Sequence, residues 1–119
     1  MIGKLLRRRP KKLKVDDFVY DWKMLQQHCR TRKTWPQAIH EADALIEKAL
    51  KGRRYKGKTT GERLVAAQHE LTDNEAVWFA HKFASKIDGE DVRKLKKQDV
   101  LQALNGFRQA LRDLGALPS

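Results

Sequence analysis

Residues 34–52 read TWPQAIHEADALIEKALKG, and their spacing decides the fold class. Ile39, Ala42, Ile46, Ala49 and Leu50 recur at steps of three and four, which places them on one face of an α-helix. Ala38 and Leu45 widen that stripe. Thr34 stands at the N-cap position, and Pro36 falls in the first turn, where its missing N–H costs nothing. Gly52 reads as the stop. The pattern predicts a helix over about 35–51 whose apolar face needs a partner layer.

The same period continues on both sides. Phe18, Trp22, Leu25 and Cys29 predict a helix from Val15 to about Arg32, with Asp16, Asp17 and Asp21 near its start and Arg30 and Arg32 near its end, in the order that suits the helix dipole. Leu64, Ala67, Gln68 and Leu71 mark a short helix opened by Thr60. Thr72-Asp73-Asn74-Glu75 fits the capping-box pattern and opens a fourth helix carrying Val77, Trp78, His81, Phe83, Ala84 and Ile87, broken at Asp88-Gly89. Val100, Leu101, Leu104, Phe107, Leu111 and Leu114 align in a last helix from about Lys97, with Gly115 placed to cap it. No segment alternates with period two. The prediction is an all-α, antiparallel bundle of about five helices over residues 15–117, preceded by an arm over 1–14.

A chain of 119 residues supports one core without covalent staples. Its net charge of +11 is concentrated in the arm, where Lys4, Arg7, Arg8, Arg9, Lys11, Lys12 and Lys14 stand without an acid. Like-charge repulsion and low apolar content predict a disordered arm that engages partners. The one cysteine, Cys29, has no internal partner, so nothing implies an oxidising compartment. No stretch reaches the roughly 20 apolar residues of a membrane span, and the arm lacks the apolar run of a secretory signal. These features predict a cytoplasmic protein.

Beyond periodicity, the chain resembles a family. His81-Lys82-Phe83-Ala84-Ser85-Lys86-Ile87-Asp88-Gly89-Glu90 is similar to the signature segment of HEPN-type helical bundles (higher-eukaryote-and-prokaryote nucleotide-binding). There a helix carries an Arg-Asn-Arg-Ile-Ala-His-Glu-like run whose Arg and His cut RNA. Ala38 to Leu45, Tyr55 to Leu64, Val77 to Lys82 and Phe107 to Gly115 resemble further elements of small bacterial HEPN-like proteins, in the same order, so the likeness spans roughly residues 16–117. It implies a helical bundle, and dimerisation as an option. It departs at the chemistry. Ala84 and Lys86 stand at the two Arg positions and Gly89 at the His, while Glu90 keeps the terminal Glu. Imidazole transfers protons near neutrality and glycine cannot, so the motif is degenerate and no catalytic residue is predicted. Arg63 and His69 also satisfy the loose Arg–His spacing, at a frequency chance accounts for.

Other chemistry is sparse. His28, His40, His69 and His81 fall one per helix without the close pairing a zinc site uses, so neither a metal nor another cofactor is predicted. His81 reads as a structural histidine bonding a neighbouring helix, and His40 as a surface residue. Gly57 and Gly61 around Lys58-Thr59-Thr60 lack P-loop spacing. The basic clusters remain: Arg7, Arg8, Arg9, Lys11, Lys12 and Lys14 in the arm, and Lys51, Arg53, Arg54, Lys56 and Lys58 around Tyr55 in a glycine-punctuated loop. Polyphosphate backbones reward such clusters through counterion release, and Tyr55 either stacks a base or anchors the loop. A solvated tail and attachment to an anionic membrane, at about 1 kcal/mol per cation, also fit the arm. The leading expectation is a non-catalytic module binding RNA or a ribonucleoprotein through arm and loop. The alternative is an interaction or dimerisation adaptor held at an anionic membrane surface.

Overall fold

The computed structural model describes residues 12–118. Arg7, Arg8, Arg9 and Lys11 lie outside them. Among the described residues five α-helices form an all-α bundle and there is no strand: α1 Val15–Gln26, α2 Trp35–Gly52, α3 Thr60–Ala66, α4 Asn74–Lys86 and α5 Lys97–Asp113. Leu13 and Gly52 meet at one end of the α1–α2 pair, while short turns join the helices at the other, so α1 and α2 are antiparallel. Arg32 donates to the Leu95 carbonyl and Arg53 to the Leu114 carbonyl, which sets α5 parallel to α2. The returning α4 is antiparallel to both, and α3 lies across the end where α2 finishes. Ile39, Ile46, Leu50, Leu64, Phe107 and Leu111 fill the centre.

Each helix buries the face its period marks, yet several boundaries differ from the sequence reading. α1 ends at Gln26 because Thr31 adopts an extended backbone and two 3-10 turns, Gln27–Cys29 and Arg32–Thr34, take over. The Thr34 hydroxyl donates to the His28 carbonyl at 2.7 Å and the Trp35 indole N–H to the Cys29 carbonyl at 2.9 Å, which fastens those turns. Thr34 precedes α2 but makes no side-chain cap. Gly52 lies inside α2. The helix instead turns off at Arg54, whose φ is +65°, through bonds from Tyr55 N–H to Leu50 O at 3.0 Å and Arg54 N–H to Lys51 O at 2.9 Å. A left-handed arginine at this position is uncommon, since glycine usually holds it.

Two threonine assignments also change. Thr59, not Thr60, caps α3, accepting the Glu62 N–H at 3.1 Å, and the Glu62 carboxylate accepts the Lys58 N–H at 3.0 Å. Thr60 is buried and donates to Glu47 at 2.8 Å. Asp73, not Thr72, caps α4 by accepting the Ala76 N–H at 3.0 Å; Thr72 gives its N–H and hydroxyl to Asp113, both at 2.8 Å. α3 stops at Ala66, short of Leu71. Leu101 is 50% exposed, one position off the α5 stripe. Gly115, at φ +79°, closes α5 as its sequence position implied, with Ala116 N–H bonded to Leu111 O at 2.8 Å. Gly106 lets α4 and α5 touch: a β-carbon there would stand 2.5 Å from the Ala76 carbonyl oxygen.

Candidate nucleic-acid interface

The fold brings Lys12 and Lys14, the described part of the arm cluster, to the end of α2 from which the 51–58 loop leaves. Leu13 is partly buried on the core, and a β-carbon at Gly52 would stand 2.5 Å from its Cδ2. The glycine therefore makes room for the root of the arm. Lys12, Leu13, Lys14, Asp17 and Phe18 on one side, with Lys48 and Gly52 on the other, line a cleft of about 220 Å³. Lys48 spans it, its ammonium 5.0 Å from the Phe18 ring centre and 3.4 Å from Asp21 Oδ2. Lys51 lies one residue away and pairs with Glu47 at 3.2 Å, one helical turn back.

Within the 51–58 loop the predicted residues divide. Arg53 turns inward: it holds both Glu70 oxygens, at 2.9 and 2.8 Å, and donates to the Leu114 carbonyl at the end of α5. The pair is 15% and 24% exposed; one guanidinium nitrogen, Nη2, serves both Glu70 oxygens and the other, Nη1, the Leu114 carbonyl, so Arg53 ties two chain segments together. The Tyr55 hydroxyl also donates to Glu70, and its ring meets His69 edge-on at 6.0 Å. Of the two roles open to Tyr55, the geometry carries the anchor. Lys12, Lys14, Lys51, Arg54, Lys56 and Lys58 are exposed. Lysine presents a point charge that meets phosphates without demanding one orientation.

The segment 81–90 is arranged differently. Ala84 is 2% exposed and faces the core, so a long cationic side chain at that position would have to enter packed apolar space. Lys86 and Glu90 are exposed. Gly89 has φ +78° with open space around it, a conformation that disfavours any side chain. Among the described residues no hydrogen bond or ion pair joins any two of these four; Glu90 gives its N–H to the Ile87 carbonyl at 3.1 Å.

The histidines each meet a different neighbour. His81 Nδ1 lies 2.8 Å from Asp43 Oδ1, His40 Nε2 2.9 Å from Asp88 and His28 Nε2 3.6 Å from Glu41. His81 thus bonds across from α4 to α2. Asp43 raises its pKa above the ordinary 6.5, chiefly through that bond and with help from Glu47. Glu47 in turn is held below the usual carboxylate range, first by the Thr60 hydroxyl and then by Lys51. Burial pushes the Cys29 thiol up, away from reactivity. Arg63 lies on α3, while His69 stands in the turn beyond it against Tyr55. The pairing of Asp43 with His81 was not read from sequence, although both point to one side of their helices; only the crossing of α2 and α4 brings them together.

Comparison with protein-family models, with curated proteins and with solved structures finds no match. Among the described residues no helix is long and apolar enough to cross a membrane.

Proposed function

We propose that this chain is a non-catalytic, HEPN-like binding module that engages RNA, or a ribonucleoprotein, through its phosphate backbone. One observation carries the reading. Leu13 seated on Gly52 brings Lys12 and Lys14 into one cleft with Lys48 at the end of α2, where the 51–58 loop begins. An extended anion bound at this cleft has the lysines of the loop next along the chain. Exposed lysines suit backbone contact without base readout, so weak sequence preference follows. The burial of Ala84 and the left-handed Gly89 support the absence of nuclease chemistry.

The test is competition. Full-length protein is bound to a fluorescent single-stranded RNA of 20 nucleotides, and vesicles containing anionic lipid are added. RNA is expected to stay bound, and the variant Lys12→Ala/Lys14→Ala/Lys51→Ala/Lys56→Ala/Lys58→Ala to bind at least tenfold more weakly, since each lost phosphate contact also removes about 0.7 from the salt slope. Tight vesicle binding that RNA does not disturb would replace this reading with the membrane adaptor, and cleavage of the RNA would overturn the non-catalytic assignment.

A further inference from the structure

The opposite end of the bundle holds a basic surface that neither cluster above includes. The turn Arg32–Thr34 packs beside the turn Val92–Lys94, and Arg32 bonds the Leu95 carbonyl while its guanidinium lies 4.5 Å from the Trp35 ring centre. That stitch brings the turn 32–34 against residues 92–95, with Arg30 leading into the first and Lys96 and Lys97 following the second. Arg30, Lys33, Lys94, Lys96 and Lys97 are all exposed there, and none has a carboxylate within ion-pair distance among the described residues. Asp88 and Asp91 are taken by His40 and Arg93. Only Glu90, and Asp99 in the first turn of α5, remain against five cations. Lys96 and Lys97 moreover stand at the start of α5, where the helix dipole favours acids. Like charges gathered at a helix start oppose the dipole, and a bound polyanion would offset that.

The surface continues onto α1. Tyr20, Lys23, Met24, Gln27 and Arg30 follow one another at helical steps, and all are exposed. Tyr20 is 63% and Met24 42% exposed, two large apolar groups side by side on a helix whose other face is buried. Tyr20 has one cation, Lys23, on the following turn, with Arg30 further along the same face, and an exposed aromatic ring beside a cationic track is what proteins use to stack the bases of a single strand. Asp16 and Asp17, one turn before Tyr20, separate this strip from the root of the arm, so the two surfaces are distinct.

We propose that the outer face of α1 and the basic end formed by Arg30, Lys33, Lys94, Lys96 and Lys97 make a second surface for single-stranded nucleic acid, on which Tyr20 stacks a base. From Tyr20 to Arg30 the chain rises about 15 Å, enough for roughly four stacked nucleotides. The inference rests on the nucleic-acid reading of the arm end and adds a residue and a strand form to it. A duplex cannot offer an unstacked base to Tyr20, so the surface selects single strands.

The experiment measures binding of a fluorescent 20-nucleotide single-stranded RNA and of a 20-base-pair RNA duplex to the full chain and to three variants. Tyr20→Ala is expected to weaken the single strand about 5- to 150-fold, the loss of one stack at about 1–3 kcal/mol, with no change in salt slope and little change for duplex; Tyr20→Phe keeps wild-type affinity. Lys33→Ala/Lys94→Ala/Lys96→Ala/Lys97→Ala is expected to flatten the slope by about 2, three contacts at roughly 0.7 each. Wild-type behaviour of both the alanine variant and the lysine variant would overturn the second surface while leaving the arm end standing. If the wild-type chain binds neither RNA, the nucleic-acid reading itself falls, and this surface with it.

Discussion

At the end where α2 finishes, Arg53 lies against Glu70, Lys51 against Glu47 and Lys48 against Asp21. At the end where α2 begins, Arg30, Lys33, Lys94, Lys96 and Lys97 stand without such partners among the described residues. Each end nevertheless keeps one arginine for itself, Arg53 on Leu114 and Glu70, Arg32 on Leu95 and Trp35. The contrast teaches how to read a basic cluster. A planar, weakly hydrated guanidinium is the cation a fold draws into half-buried ties, while strongly hydrated ammonium groups stay outside. Counting positive charges by sequence merges the two uses.

The largest effect that would break this comparison is at Arg53. Arg53→Ala leaves Glu70 partly buried and unpaired, along with the carbonyl of Leu114, and is expected to lower stability by about 2–3 kcal/mol in denaturant titration. Arg53→Lys should recover only part of it, because the fork is lost. Loss of RNA affinity with unchanged stability would show instead that Arg53 faces ligand.

A smaller effect sharpens the comparison from the middle of the bundle. His81 has its pKa raised by Asp43, so the protonated pair favours the folded state. Its contribution, about 1 kcal/mol for one such bond, is full below the unfolded value near 6.5 and is lost as pH rises through the folded value. Unfolding midpoints should therefore fall from about pH 6.5 upward in the wild type, with the step missing in Asp43→Asn. An identical pH profile in that variant would assign the slope to other groups.

The legible parts of the fold were those set by local periodicity. α2 and α5 declare themselves over 18 and 17 residues of unbroken stripe, and Leu101 alone falls outside it, one step round the helix. Caps were legible only where a single residue offered itself, as at Gly115. Thr59 and Thr60, or Thr72 and Asp73, are equal candidates in sequence; Glu47 and Asp113, distant in the chain, decide between them. Gly52 looked like a terminator and serves as a seat for Leu13, and Arg54 takes the left-handed turn in its place. For the site, sequence marked the charges of the arm end but not which of them Glu70 would claim. The second basic end is not legible in sequence because its halves, 30–33 and 93–97, are short runs brought near each other by the packing of the turns 32–34 and 92–94 and the Arg32–Leu95 bond.

On the function proposed above, the charges left outside the fold bind the phosphate backbone of RNA. The most direct test is the salt dependence of wild-type affinity for a 20-nucleotide single-stranded RNA between about 0.05 and 0.3 M monovalent salt. Three to five arm-end contacts at roughly 0.7 each predict a slope of log affinity on log salt of about −2 to −3.5, and steeper where the second surface joins. A slope flatter than about −0.7, the share of a single phosphate contact on a single strand, would contradict it.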